Sequence, residues 1–331
     1  MKINALRYRE FGAPADVLAL ETIELTNPGP GEALVALRAG VIHPSDMGLI
    51  GGSYGKRREL PAVAGREGVG EVLALGPGVK RLKVGDRVRL PEEAVFQDAV
   101  CWDAEELEIA PKDIPLEQAC MAFINPPTAY RLLEDFADLG PGDWIIQNAA
   151  NSAVGQCVIA LAKARGIRTI NIVRDVERWQ KPLELIGANA VLADDSDFFK
   201  EIADVAGDNK PKLGLNSIGG DSVIKIVRSM AESGVVVTFG GMVGDKVRFP
   251  TRNLIFDDVH LCGFWMDRWV RKHDARARGE MQHEVHDLIR EGVFETQVAD
   301  RFPLEEGVEA FKAALEGGRD GKILITGDFQ L

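Results

Sequence analysis

The run Trp144-Ile-Ile-Gln-Asn-Ala-Ala-Asn-Ser-Ala-Val-Gly-Gln156 constrains this chain more than any other stretch. An apolar start, Trp144 to Ile146, gives way to small residues. A helical pattern then opens at Ala153 and continues through Val154, Val158, Ile159, Leu161 and Ala162. Strand, tight turn and helix in immediate succession form the phosphate-cradling unit of a dinucleotide-binding domain. Small residues let the backbone approach a pyrophosphate, and the helix start offers free N–H groups and a positive dipole end. Asn151, Ser152, Ala153 and Val154 are the candidate pyrophosphate contacts. The glycine fingerprint is incomplete, with Ala150, Ser152 and Gly155 at its three places. Taken alone, the run also fits an ordinary tight turn that binds nothing.

Thr169-Ile-Asn-Ile-Val173 reads as a second parallel strand, closed by Arg174 and Asp175. An acid at this place holds ribose hydroxyls, whereas an arginine can fork onto a 2′-phosphate. Val173, Arg174 and Asp175 are therefore the candidate adenosine contacts, and Arg174 points to NADPH rather than NADH. The plain alternative is a solvent-exposed arginine at a strand end. Further strands are expected at 190–193, 213–217, 234–239 and 260–264, separated by helical stretches. That alternation implies an α/β, doubly wound parallel sheet.

The first third of the chain is different. Val17–Leu20, Glu32–Arg38 and Gly70–Leu75 are short β-like runs, punctuated by Pro28-Gly-Pro-Gly31, Gly76-Pro-Gly78 and Val84-Gly-Asp86. They predict an irregular antiparallel β-domain. Leu116 to Phe136 reads as helix–turn–helix. An amphipathic helix is expected over Leu304–Leu315 and a closing strand over Gly321–Ile325, returning to the first domain. The expected domains are 1–122 with 266–331, and 123–265.

Composition excludes several classes. A length of 331 residues with 46% hydrophobic and 27% charged residues suits two globular domains. The net charge of −12 argues against nucleic acid as a partner. No apolar run reaches the roughly 20 residues needed to cross a membrane. The N-terminus alternates like a strand from Met1 to Tyr8, with no targeting pattern, so the expected location is cytoplasmic, or an organellar matrix after processing. The four cysteines stand singly; without a C-x-x-C they read as buried small hydrophobes in a reducing compartment.

Several segments together, in this order, resemble the medium-chain dehydrogenase/reductase superfamily, and within it the mitochondrial-type 2-enoyl thioester reductases. They are Ile42-His-Pro-Ser-Asp46, Tyr54-Gly55 with Glu59-Leu-Pro-Ala-Val63, Asn125-Pro-Pro-Thr-Ala-Tyr-Arg131, Gln147 to Gly155, Thr169 to Asp175, Phe239-Gly-Gly-Met242 and Gly263-Phe-Trp-Met266. The resemblance runs essentially end to end. It implies a Rossmann domain beside a GroES-like irregular β-barrel catalytic domain, NADPH as cofactor, an acyl thioester substrate on coenzyme A or acyl carrier protein, and a homodimer. Zinc-dependent members carry a cysteine near position 43 and a G-H-E motif. This chain has Ile42-His-Pro-Ser-Asp46 and Gly65-Arg-Glu-Gly68, and an arginine cannot ligate zinc. No metal is expected. His260, His273, His283 and His286 are read as non-catalytic.

The resemblance carries the catalytic role onto Tyr54, one of three tyrosines. A loop tyrosine that merely packs its ring is the alternative. It also implies that Asn125 lies near the nicotinamide ribose or carboxamide, unless it only caps its helix. Phe239, Gly240, Gly241, Met242, Phe264, Trp265 and Met266 would line the nicotinamide end, with strand-end packing as the alternative. Lys322 would reach the cofactor, or else be a lone surface lysine. Lys56, Arg57 and Arg58, and a second cluster from Arg268 to Arg278, would meet coenzyme A phosphates or an acidic carrier protein, unless they are solvated charged faces. Two departures from the family pattern stand out. Pro91-Glu-Glu-Ala-Val-Phe96 replaces a Gly-rich turn with Thr-Trp that borders the pocket, which bears on chain length. Arg66 replaces a small polar residue and brings a positive charge towards the substrate. An NADPH:quinone or enone reductase, and a non-catalytic NADPH-binding protein, are the competing functions.

Overall fold

Trp144–Asn148 is a strand with every residue buried, as expected where helices cover both faces of a parallel sheet. The structure is a computed structural model and describes residues 1–331 apart from 194, 196, 197, 243–245 and 317. The strand lies third in a six-stranded parallel sheet ordered Ala190–Ala193, Arg168–Val173, Trp144–Asn148, Leu213–Asn216, Val235–Thr238, His260–Gly263. Helices Ala153–Ala164, Val176–Ile186, Phe198–Ala206, Val223–Ser229 and Thr251–Phe256 make the returns. Strand order reverses between Trp144–Asn148 and Leu213–Asn216, the place where open α/β sheets bind ligands beyond their carboxyl ends.

A row of side-chain amides crosses this sheet. Gln147 Nε2 donates to Asn171 Oδ1 at 2.8 Å, Asn148 Nδ2 to Asn216 Oδ1 at 2.8 Å, and Asn216 Nδ2 to Thr238 Oγ1 at 3.1 Å. Asn148 Oδ1 accepts the Ser217 N–H at 2.9 Å. These bonds satisfy polar groups that burial would otherwise penalise, and they fix the turns at the strand ends.

The chain forms two units, Met1–Phe123 with Thr296–Leu331, and Ile124–Glu295. In the first, Val298–Pro303, Lys322–Thr326, Glu32–Val41, Glu67–Leu75 and Arg87–Arg89 follow one another in a sheet, with Ala99–Asp103 also on Glu32–Val41. A three-stranded sheet joins Ala19–Glu24, Lys2–Tyr8 and Ala62–Val63. Leu6, Tyr8, Leu37, Phe96, Phe311 and Ile325 are part of its core. Lys322–Thr326 pairs antiparallel with Glu32–Val41, so the C-terminal strand does return to the first unit.

Three expectations need correction. The break expected at residue 266 falls at 296 instead, because helices Met266–Lys272 and Ala275–Arg290 belong to the second unit. There Met266, Trp269 and Met281 pack with Tyr130 and Phe264. Val17 ends a short helix, Pro14–Val17, and the strand begins only at Ala19; proline at a first helical position favours that turn. The stretch from Leu304 splits into a 3-10 turn, Leu304–Glu306, and a helix, Gly307–Leu315. Of the four cysteines, Cys120 and Cys157 are buried, whereas Cys101 and Cys262 are partly exposed.

Candidate active site

Tyr54 follows helix Pro44–Ile50. Its N–H donates to Gly48 O at 3.0 Å, and a Cβ on Gly48 would meet the Tyr54 side chain at 3.4 Å. The turn before it needs glycine: Gly52 has φ +72°, and a Cβ there would meet Phe11 Cγ at 2.8 Å. Arg66 fixes the other end of the ring. Its Nη1 donates to the Tyr54 hydroxyl oxygen at 2.8 Å, and its guanidinium lies over the ring, 4.7 Å from the centroid. Arg66 is only 3% exposed and its Nε pairs with Glu92. Lys56 Nζ holds the other Glu92 oxygen at 2.5 Å. Burial alone would push the Glu92 carboxyl up, but Arg66 and Lys56 together hold it below its usual value.

The basic run after Tyr54 is largely used inside its own unit. Lys56 is on Glu92, and Arg58 donates to the carbonyls of Val63, Gly65 and Glu92 at 2.5, 2.7 and 2.7 Å. Arg57 is exposed, above the Phe11 ring. The expected three-cation patch therefore reduces to Arg57.

Lys322 is not a surface lysine. It is 8% exposed, and its Nζ lies 3.2 Å from His43 Nδ1. His43 Nε2 lies 2.5 Å from Glu67 Oε2, and Glu67 Oε1 accepts the Phe123 N–H at 2.5 Å. A lysine ammonium only donates, so Nδ1 must accept, and the neutral imidazole carries its proton on Nε2 towards Glu67. Burial, reinforced by Lys322, depresses the His43 pKa to about 4. Asp46 Oδ2 accepts the His43 N–H at 2.6 Å, Asp46 Oδ1 is buried with no partner among the described residues, and burial raises this carboxyl to about 7. Sequence reasoning missed His43, Glu67, Asp46 and Glu92 as a site. The available signal was charge inside apolar stretches, at Arg66-Glu67 and Glu92.

These shifts predict a compensated pH response. A raised Asp46 contributes stability that is full below its ordinary value of 3.8 and is lost as pH rises through about 7. A depressed His43 contributes stability that is present above its ordinary 6.5 and is lost as pH falls through about 4. Between roughly pH 4 and 6.5 the folded chain holds its proton on Asp46 and the unfolded chain on His43, so the two slopes cancel. Asp46→Asn removes one arm, since its amide oxygen can still accept the His43 N–H. The variant should gain stability over the native protein by about 1.4 kcal/mol per unit of rising pH in that window. Denaturant titrations at several pH values check this, and parallel stability curves would contradict it.

In the second unit, Ser152 caps helix Ala153–Ala164 by accepting the Gly155 N–H on its Oγ at 3.1 Å. A helix cannot satisfy its first N–H groups internally, and among the described residues no backbone carbonyl takes those of Ala153 and Val154. Ala149 has φ +46°, and a Cβ on Gly155 would meet Ala150 O at 2.5 Å; the last glycine of the fingerprint is the one this turn cannot lose. Arg174 is exposed after strand Arg168–Val173, and among the described residues no ion pair holds it. Asp175 caps helix Val176–Ile186 through the Arg178 N–H at 3.0 Å. Asn125 caps nothing: it is 6% exposed and its Nδ2 has no partner among the described residues. Ser217 Oγ is likewise buried and unpartnered, and a Cβ on Gly240 would meet Ser217 O at 2.7 Å. Met242 is exposed, Phe264 meets the Phe136 ring edge-on, the Arg271 guanidinium lies over Trp265, and Met266 is a core residue.

Residues 29–108 match the alcohol dehydrogenase GroES-like domain family, and residues 153–282 match the zinc-binding dehydrogenase family. Over 337 residues the chain is 39% identical to the mitochondrial enoyl-[acyl-carrier-protein] reductase of Bos taurus, covering 98% of this chain and 89% of that protein. The chain belongs to the mitochondrial-type enoyl thioester reductases of the medium-chain dehydrogenase/reductase superfamily. Solved enoyl thioester reductases share its fold. The mitochondrial 2-enoyl thioester reductase Etr1p/Etr2p heterodimer from Candida tropicalis superposes with a TM-score of 0.88 at 26% identity, covering 98% of this chain and 100% of that chain. The complex of Etr1p with NADP and crotonyl-CoA gives 0.90 at 25% identity with the same coverage.

Membership in this reductase family makes the protein an NADPH-dependent oxidoreductase. Its own residues fit that cofactor: a close-approach turn at Ala150 and Gly155, an uncommitted arginine after the second strand, and buried unpartnered donors at Asn125 and Ser217. The zinc of metal-dependent relatives has no such fit. Arg66 stands at the histidine's place and donates to Tyr54, and among the described residues no group of three His, Cys, Asp or Glu side chains is placed to hold a metal ion. No helix among the described residues is long and apolar enough to cross a membrane.

Proposed function

We propose that the protein reduces the 2,3 double bond of trans-2-enoyl thioesters, with Tyr54 as the group that meets the thioester oxygen. The observation that carries this reading is the Tyr54 phenol. It is fixed by Gly48 and Arg66, and the arginine that holds it occupies the place of a zinc ligand. When bound, NADPH supplies a hydride for the β-carbon. Negative charge then grows on the thioester oxygen. The phenol donates to that oxygen and supplies the proton taken up at the α-carbon. The N–H groups of Ala153 and Val154 hold the pyrophosphate, and Asn125 Nδ2 donates at the nicotinamide end. Turnover of a trans-2-enoyl-CoA with NADPH, and none of a 1,4-quinone, tests the reading. Quinone turnover alone would move the protein to the quinone reductase branch.

Arg174 forks onto the 2′-phosphate. Charge-assisted bonds of this kind contribute about 1.5–3 kcal/mol. Arg174→Ala should therefore raise the KM for NADPH about 10- to 100-fold and leave that for NADH nearly unchanged. Equal effects on both cofactors in steady-state kinetics would contradict the assignment.

The protein works as a homodimer joined along strand His260–Gly263. That strand ends its sheet, Leu261 is 41% exposed, and the preceding helix exposes Leu254, Ile255 and Phe256 at 46%, 65% and 68%. Such an edge with apolar surface invites a second copy. Light scattering should give the mass of two 36.1 kDa chains, and Ile255→Glu with Leu261→Lys should give one. A native monomer would overturn the proposal.

A further inference from the structure

We infer that Arg66, anchored by Glu92, is a positioning residue that turns the Tyr54 hydroxyl into an obligate donor towards the substrate. The inference rests on the reading of Tyr54 as the catalytic group and adds what controls it. A guanidinium is a donor only and stays charged at every working pH. In the 2.8 Å bond from Arg66 Nη1 the phenol oxygen must therefore accept. A phenol has one hydrogen, and it cannot lie on the Arg66 side. It points away from Arg66, and in the proposed reaction it is donated to the thioester oxygen. The guanidinium over the ring also opposes any rotation that would exchange the two roles.

Arg66 is held where it is. At 3% exposure it needs an anion, and Glu92 provides one through Arg66 Nε. Glu92 is itself fixed on two sides, by Lys56 Nζ on its carboxylate and by Arg58 Nη2 on its backbone carbonyl. The two departures from the family pattern, Arg66 and the segment Pro91–Phe96, thus meet in one ion pair: Glu92 of that segment neutralises the added cation. Among the described residues, Glu92, Lys56, Arg58 and Asp46 are charged groups that surround Arg66. Arg66 itself donates to the phenol oxygen. As the proton leaves towards the substrate, the charge left on the phenol oxygen develops against that cation.

The test is ionisation of Tyr54 followed by NMR of ring-labelled tyrosine. The chain has only three tyrosines, burial raises both Tyr8 and Tyr130, and Tyr54→Phe identifies the third signal. Arg66→Met keeps the side-chain length and removes the charge. It should raise the Tyr54 midpoint by about one pH unit or more and lower kcat on an enoyl thioester about tenfold or more, with KM little changed. Arg66→Lys should restore part of both effects, and Glu92→Gln should reproduce a smaller loss by loosening the anchor. A folded Arg66→Met protein whose Tyr54 midpoint does not move would overturn the inference. Tyr54→Phe with undiminished kcat would instead remove the reading on which it rests, and the two failures are read from different variants.

Discussion

Tyr54→Phe should lower kcat on a trans-2-enoyl thioester about a hundredfold or more, while NADPH binding and the KM for the thioester change little. The substitution removes one hydrogen-bond donor aimed at developing charge, and losses of this kind run from about 10²- to 10³-fold. Folding should be unaffected: the phenylalanine ring keeps its place against Gly48 and under Arg66. The Arg66 N–H that bonded the phenol oxygen loses an acceptor, but the guanidinium retains Glu92. Single-turnover kinetics separate the chemical step from binding. A kcat within about twofold of native would reduce Tyr54 to a packing residue, because a donor used in the transition state cannot be removed so cheaply.

The second large effect is on stability. Glu67 is fully buried and joins three segments: His43 before helix Pro44–Ile50, the backbone N–H of Phe123, and through His43 the ammonium of Lys322 on the C-terminal strand. Glu67→Ala removes the buried carboxylate that His43 Nε2 and the Phe123 N–H both bond. Leaving two buried donors without this acceptor costs about 1–3 kcal/mol each, which should lower the Tm by on the order of 10 °C. Glu67→Gln should lose less, since its amide oxygen still accepts the Phe123 N–H. Calorimetry of the two variants checks the set. A Glu67→Ala protein within about 1 kcal/mol of native would mean that the cluster holds little of the fold.

The parallel sheet was legible because its signals are local. Trp144 to Gln156 shows the strand ending and the helix beginning, and the β-branched run 169–173 shows the next strand. The lone glycine in that fingerprint, Gly155, turned out to be the residue whose Cβ the turn cannot hold. The polar clusters were not legible in the same way. His43, Glu67 and Lys322 meet from positions up to 279 residues apart, and no periodicity relates them. The pairing of Arg66 with Glu92 was hidden for the same reason, although each residue stood out separately as a departure. Residues 266–295 were misplaced because a helical pattern does not say which unit it covers. That depends on Met281, Val285 and Ile289 being buried and on Met281 joining the Tyr130 cluster. Asn125 shows the converse. A helix-start asparagine suggested a cap, but among the described residues its Nδ2 has no acceptor.

The most direct measurement is the fate of isotope in the product. NADPH deuterated at the transferring position would be incubated with trans-2-hexenoyl-CoA, and the saturated thioester examined by NMR and mass spectrometry, with a second reaction in deuterated water. The account predicts cofactor deuterium at the β-carbon and solvent deuterium at the α-carbon, with both incorporated about a hundredfold more slowly in Tyr54→Phe. A thioester recovered unreduced while a quinone consumes the labelled NADPH, or cofactor label at the α-carbon, would contradict it.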